Sequence, residues 1–450
     1  MAAERVDTRP PSIGTHSASP LIGAPAPPSS SPSSRPASSV VVALHEGFYG
    51  ASSGTGFSNR ALLEVLARTL PPGRLLVLPT HVPHENSGYD QRWTLSTRRL
   101  LDSVGAEVAP VPCAHLHDAS AHDSETLCEI VGDMAREHLA GAAQSHVIGL
   151  DIPFLGLAPH LAGSGAGLLL IPRSTSLLAD PANHRRIRWE RSGLITAVTR
   201  GARVAAISKH MRMHLKHQYG VPAGALVDLP NGLLLHASST EPPPAPLPPR
   251  ARAGFLLAMG RAVESKGFED LIEAVAQLRD EGVRLPHLVL AATGPSRYPT
   301  PYQRRLHEQA RDHGLDVTFL ARFSPVYRTW LRSPALRAVV VPSRAEPFGR
   351  IPLEAFAEGA GPVVATRVGG LIETVLDGET GFLAEPDNPH SLARSIQRAL
   401  LITARERDQL RRRGQALLTA RHDYGATICS YVRDHIPWAL EPVSAERRLP

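Results

Sequence analysis

The stretch VVVPSRAEPFGRIPLEAFAEGAGPVVATRVGG runs from Val339 to Gly370. Its opening valines form a β-branched run of the kind that fills a buried strand, ending at Val341. A polar loop carrying Glu346 follows, and Pro352 stands where a helix would start, because proline occupies a first helical turn without losing a hydrogen bond. Glu354 is then expected in that first turn. Strand, loop and helix in this order leave free backbone N–H groups near Gly349, Arg350 and Ile351. With the positive end of the helix dipole, these make a receptor for an anion such as a diphosphate. Glu346 and Glu354 flank the receptor and cannot themselves bind phosphate. Carboxylates accept hydrogen bonds, so hydroxyl groups are their expected partners, and a sugar supplies several.

The alternation extends outward from this segment. Upstream, MGRAVESKGFEDLIEA (259–274) puts Arg261 and Lys266 in a loop between a strand and a helix. Open α/β sheets bind ligands beyond the carboxyl ends of their strands. Two cations and a helix N-terminus are therefore expected to face one site, which suits a nucleoside diphosphate whose leaving charge is stabilised without a metal. Around these loops GFLLAMG, HLVLAATG, VTFLA, RAVVVPS and PVVAT read as strands, and FEDLIEAVAQLRDEG, LEAFAEGA and SLARSIQRALL as helices. An earlier series starts at SVVVAL (39–44), passes the glycine-rich GFYGASSGTG and the helical FSNRALLEVLARTL, and continues through RLLVL, HVIGL, GLLLIP, RVAAIS and ALVDLP. The chain thus reads as an α/β protein with two alternating domains, 39–235 and 253–423. A proline-rich linker (236–252) joins them, a Ser/Pro-rich tail (1–38) read as disordered precedes them, and one more helix with a tail (424–450) follows.

Composition is compatible with this reading. The chain has 450 residues, 42% hydrophobic and 20% charged, with 36 Gly and 41 Pro. No apolar run approaches the ~20 residues of a membrane-spanning helix. The first residues carry Glu4, Asp7, Pro10 and Pro11 where a secretory signal would show a basic start and an apolar stretch, so a cytoplasmic protein is expected. Cys113, Cys128 and Cys429 are odd in number and widely spaced, which offers neither a disulfide framework nor a metal knuckle. CAHLHDASAHD (113–123) is rich in metal-binding side chains, yet its spacing matches no helical His pair and it reads as a polar surface loop; no metal is expected. The net charge of +6, from 45 Arg and 3 Lys against 42 acids, permits phosphate ligands or an anionic surface without requiring nucleic acid. HRRIRWER (184–191) lacks a sustained apolar face. It reads as an exposed helix with ordinary ion pairs rather than as a segment lying on a membrane.

Four motifs in order, GRAVESKG at 260–267, EPFGRIPLE at 346–354, EGAGPVVATRVGG at 358–370 and DGETGFLAEP at 377–386, resemble the retaining nucleotide-sugar glycosyltransferases of the GT-B fold, and among them glycosyltransferase family 4. ISKHM at 207–211 and LPNGL at 229–233 resemble that family's passage from first to second domain, and the Gly54/Gly56 loop resembles its first-strand glycine loop. The resemblance implies two Rossmann-like, doubly wound domains facing across a cleft. It implies that Arg261 and Lys266 hold the diphosphate and that Glu354 binds the ribose hydroxyls. Glu346 and the backbone at Phe348 and Gly349 would contact the donor sugar, with Arg350, Ile351 and Gly56 also on the donor. Gly294 and the loop from Leu320 through Arg322 to Phe323 would border the nucleobase. It further implies same-face attack, in which the departing phosphate helps deprotonate the acceptor, with no protein nucleophile and no cofactor beyond the nucleotide sugar as co-substrate. There is one departure. Many relatives carry His before Asp at the end of the fourth strand, where this chain has IGLDIP with Leu150 before Asp151. Asp151 is then a candidate for orienting an acceptor hydroxyl, with Arg173 and His160 beside it.

The expected activity is metal-independent, retaining transfer of a hexosyl group from a nucleotide-diphosphate sugar, UDP before GDP, to a hydroxyl of a soluble small acceptor. Two rivals stand beside it: a membrane-peripheral transferase with a lipid-linked acceptor, and a non-catalytic sugar-nucleotide-binding protein, against which intact Glu346, Lys266 and Arg261 argue. Taken singly, each residue says less. A glycine-rich turn needs only positive φ, loop cations are usually solvated, and an acid in a first helical turn is favoured by the dipole alone.

Overall fold

The apolar runs become two parallel sheets in the computed structural model, which describes residues 38–51, 53–83, 88–112, 121–235, 246–294 and 298–442. The first sheet is built from β1 (Ser38–Leu44), β2 (Leu75–Pro79), β3 (Glu107–Val108), β4 (Gln144–Leu150), β5 (Gly167–Ile171), β6 (Arg203–Ala206) and β7 (Leu226–Asp228). Its spatial order is β3-β2-β1-β4-β5-β6-β7. The second sheet holds β8 (Phe255–Arg261), β9 (His287–Thr293), β10 (Val317–Phe319), β11 (Leu336–Val341), β12 (Val363–Thr366) and β13 (Phe382–Ala384), in the order β10-β9-β8-β11-β12-β13. Every pairing of these strands is parallel, as crossover helices require. Both sheets reverse direction of winding once, between β1 and β4 and between β8 and β11. A doubly wound sheet opens a crevice at that switch point, beyond the carboxyl ends of its strands.

The first sheet is covered by α1 (Gly54–Thr69), α2 (Gln91–Asp102), α3 (Ala121–Leu139), α4 (Ser176–Ala179), α5 (His184–Thr199) and α6 (Lys209–Gln218). The second carries α7 (Phe268–Asp280), α8 (Pro301–Asp312), α9 (Arg350–Ala357), α10 (Leu371–Thr374), α11 (Pro389–Leu401) and α12 (Ala404–Arg421). Alternate residues of β8 serve different cores. Leu256 and Ala258 pack in the cluster holding Leu271 of α7 and Ile396 of α11, whereas Phe255 and Leu257 belong to the cluster that continues to the first sheet. Helices α2, α8 and α12 escape an apolar-periodicity reading because most of their residues are polar. Reciprocal caps nevertheless mark two of their starts, Thr300 with Gln303 and Thr403 with Glu406.

The last helix, α13 (Tyr424–His435), does not stay with the second sheet; it packs on α1 of the first. Its entry is pinned where the chain first passed between the halves: Leu233 N donates to the His422 carbonyl and Tyr424 N to the Leu233 carbonyl, both at 3.0 Å. The one further helix expected within 424–450 ends at His435, and a 3₁₀ turn over Pro437–Leu440 follows, because Pro437 cannot continue the α pattern. The basic segment at 184–191 is a helix exposed on one side only: His184, Arg185, Arg188 and Arg191 face solvent, and the other side is buried. Arg186 and Glu190 are 4% and 0% exposed, on the same stripe as Ile187, Leu194 and Ala197. The N-terminal tail through residue 37, Cys113 with most of its His-rich stretch, linker residues 236–245 and the final residues from 443 lie outside the described residues. Among the described residues no helix is long and apolar enough to cross a membrane.

Candidate functional site

Two loops at the switch point of the second sheet are bonded to each other. The first leaves β8 at Arg261 and turns through a 3₁₀ segment, Glu264–Lys266. The second leaves β11 at Val341 and ends at Gly349, whose φ of 93° caps α9 without a side-chain hydrogen bond. Arg344 N donates to the Ser265 carbonyl at 2.8 Å, and the Arg344 guanidinium makes a forked pair with Asp270 at 2.9 and 2.6 Å. That fork, with Glu269 and Asp387 nearby, holds the guanidinium above its ordinary pKa. Lys266 is ion-paired with Glu346. A third loop presses from below. A Cβ on Gly369 would collide with the Glu346 carbonyl and one on Gly370 with Phe348, while Gly370 N donates to the Glu346 carbonyl at 2.9 Å. The paired glycines of ATRVGG are thus the surface on which the Glu346 loop rests.

Glu354 is the fifth residue of α9, so it opens the second turn rather than sitting in the first. It is 8% exposed. Its Oε1 accepts from Arg328 at 2.8 Å and from Arg350 at 3.3 Å, and no described residue bonds Oε2. Burial lowers the Arg350 guanidinium to about 10, with Glu354 opposing the shift, so it stays charged at neutral pH.

The facing wall comes from the first sheet. Ser53, Gly54, Thr55 and Phe57 of the glycine loop and α1, with Arg173, Ser174 and Asn231, close a cleft against Arg261, Lys266, Glu346 to Ile351, Glu354, Phe323 and Arg328. The cleft holds about 1290 Å³ of open space. Arg173 is buried. Its Nε donates to Asn59 at 3.0 Å, NH1 to Asn231 at 3.4 Å and NH2 to the Tyr424 hydroxyl at 2.7 Å. The ISKHM motif joins the walls: Ser208 donates to the Pro347 carbonyl at 2.7 Å, and Glu373 accepts from Lys209 N and His210 N at 3.0 Å, capping α6 from the other half.

Of the residues singled out from sequence, Arg261, Lys266, Glu346, Phe348, Gly349, Arg350, Ile351, Glu354, Phe323 and Arg173 line this one cleft. The Arg350 side chain, however, is spent on protein partners. Gly56 is buried behind the lining, where a Cβ would meet Glu46 at 2.7 Å. Gly294 and Arg322 bridge each other at the ends of β9 and β10, and neither lines the cleft. His160 lies in a 3₁₀ turn against Gly132 of α3, away from it. Asp151 is off the lining too. It holds φ 77° at the end of β4, and its carboxylate accepts from Ile152 N at 2.9 Å. Burial raises its pKa to about 6, against the pull of that N–H and of Arg173. Sequence reading missed Arg328, Phe57 and Asn231. Among the described residues no group of three His, Cys, Asp or Glu side chains is placed to hold a metal ion.

Residues 244–416 match the family described as Glycosyl transferases group 1. D-inositol 3-phosphate glycosyltransferase of Streptomyces bingchenggensis is 36% identical over 159 residues, which cover 34% of this chain and 33% of that protein. The chain therefore spans about a third of the length of that curated relative. Sucrose-phosphate synthase from Thermosynechococcus elongatus superposes with a TM-score of 0.69 at 22% identity, over 88% of this chain and 98% of that one. Anabaena HepE in complex with UDP-glucose superposes with a TM-score of 0.64 at 19% identity, over 89% and 99%. The chain thus has the GT-B fold, and its residues 244–416 are similar to the glycosyl transferases group 1 family.

Proposed function

We propose that this chain is a cytoplasmic glycosyltransferase that moves a hexosyl group, with retention and without a metal ion, from a nucleoside-diphosphate sugar to a hydroxyl of a small acceptor. One observation carries the reading. Two cations, two carboxylates and a helix N-terminus share one wall of a cleft at the sheet's switch point, and a glycine-loop helix forms the other wall. Lys266 and Arg261, with the N–H groups opening α9, receive the diphosphate. Lys266 exchanges part of its bond to Glu346 for a phosphate oxygen, which frees the Glu346 carboxylate for sugar hydroxyls. Glu354 takes the ribose hydroxyls on Oε2. As the bond from anomeric carbon to diphosphate oxygen breaks, the acceptor oxygen bonds to that carbon on the same face, and its proton passes to the departing phosphate. Arg173, at the carboxyl end of β5, stands on the acceptor side, with Asp151 behind the lining at the end of β4. UDP sugars head the donor list because the superposing HepE was solved with UDP-glucose.

The test is nucleoside-diphosphate release from a panel of UDP, GDP, ADP and dTDP hexoses by protein treated with EDTA. Activity is expected to survive, since protein cations already neutralise the leaving group. Complete loss restored only by magnesium or manganese would overturn the mechanism. Glu354→Ala is expected to weaken UDP binding by about 1.5–3 kcal/mol, the scale of hydrogen bonds to a charged group, as measured by calorimetry. Unchanged affinity in a folded variant would remove Glu354 from the ribose.

A further inference from the structure

Glu354 is gripped by two arginines that each hold the opposite wall of the cleft. Arg350, bonded to Oε1 through Nε, sends NH1 to Ser58 Oγ at 3.0 Å and to the Gly232 carbonyl at 2.9 Å. Arg328, bonded to the same Oε1, lays its guanidinium 3.8 Å from the centre of the Phe57 ring. Phe57 and Ser58 are successive residues of α1. One carboxylate oxygen in the second half therefore reaches a single turn of α1 by two routes. Both routes are confined: Ser58 is fully buried, and the Phe57 ring is also packed by Trp93 at 5.3 Å and Phe323 at 5.9 Å. The start of α1 also rests on Arg350 directly, since a Cβ on Gly54 would meet Arg350 Cδ at 3.2 Å.

We propose that Arg328 and Arg350 are positioning residues that couple occupancy of Glu354 by a nucleotide's ribose to the placement of α1 and its glycine loop. This rests on the cleft being a nucleoside-diphosphate site. The Glu354 carboxylate can rotate while only Oε1 is bonded. Ribose hydroxyls donating to Oε2 fix its plane, which fixes both guanidiniums, and these fix Phe57 and Ser58. The acceptor-side wall is thereby set when donor is bound, although the nucleotide touches only the second half through these contacts. Such linkage is a coupling free energy between two sites and is reciprocal.

Hydrogen exchange reads this directly. The full chain is compared with and without whichever of UDP, GDP, ADP and dTDP raises its melting temperature most. In the wild type, nucleotide is expected to slow exchange in the 343–357 segment and, by ~5-fold or more, in α1. In Arg328→Gln and Arg350→Gln the slowing at 343–357 remains and that in α1 is lost, with Arg328→Lys restoring part of it. Phe57→Leu, which leaves both arginine–carboxylate bonds in place, should reduce the α1 effect and serves if the arginine variants do not fold. Equal α1 slowing in wild type and all variants would overturn the coupling while leaving the donor site standing. No slowing at 343–357 with any nucleotide would overturn the donor site, and the coupling with it.

Discussion

Lys266→Ala is expected to lower kcat by ~10²- to 10³-fold, the usual loss when one donor aimed at developing negative charge is removed. The argument concerns when the charge appears. In the proposed donor complex the diphosphate charge is shared among several oxygens, with Arg261 and the N-terminus of α9 to meet it. As the glycosidic bond breaks, charge grows on one oxygen, and a cation beside it lowers the transition state more than the bound state. The donor KM should therefore change much less than kcat. Lys266→Arg should recover only part of the rate, since a guanidinium differs from an ammonium in shape and reach. Steady-state kinetics on both variants, after checking that each melts like the wild type, decide the matter. If Lys266→Ala keeps full kcat or changes only KM, the leaving oxygen is elsewhere. Lys266 also holds Glu346, so Glu346→Gln measured beside it separates the two roles: the amide keeps a hydrogen bond to lysine but loses the charge.

The largest expected effect on stability lies in the first half, at Glu190. Its carboxylate is fully buried and accepts from Ser176 N at 3.1 and 3.0 Å, Ser176 Oγ at 2.5 Å and the Tyr219 hydroxyl at 2.6 Å, with Arg186 Nε 3.5 Å away. Burial and this carboxylate together push the Tyr219 phenol above its ordinary pKa. Glu190→Ala would remove the carboxylate that lies 3.5 Å from the buried Arg186 Nε and strip a backbone N–H and two hydroxyls of their acceptor. Breaking a buried pair in this way typically costs about 3–5 kcal/mol. Denaturant unfolding of wild type and variant measures it, and a loss below about 1 kcal/mol, the range of an exposed pair, would contradict the burial.

The loops that carry Lys266 and Glu346 are legible in sequence because each is a polar break directly after an apolar strand, and a parallel sheet delivers all such breaks to one edge. The contacts made by Arg328 and Arg350 are not legible, because Phe57, Ser58 and Gly232 become their neighbours only through the way the two sheets face. His160 shows the converse limit. It follows β4 closely, as a site residue should, but a 3₁₀ turn sends it under α3, where Gly132 leaves room for it. The segment at 184–191 misleads for a chemical reason. The spacing of Arg186, Ile187, Glu190, Leu194 and Ala197 is a buried helical stripe, yet two of its members are charged, and a pattern read on hydrophobicity passes over ions that find each other inside.

The return of α13 to α1 bears on how the protein is made. The strands of the first sheet are all synthesised by Asp228, but the phenols of Tyr424 and Tyr431 are not. Until they arrive, Arg173 lacks the hydroxyl bonded at 2.7 Å, and His146 lacks the one that lies 3.0 Å from its Nε2. Domains made on a ribosome usually fold in order from the N-terminus. Here the face of α1 that α13 covers gains its partner only after the whole second sheet has been translated. A gene cut between the halves would therefore divide a packing layer, leaving α1 on one fragment and the helix that covers it on the other.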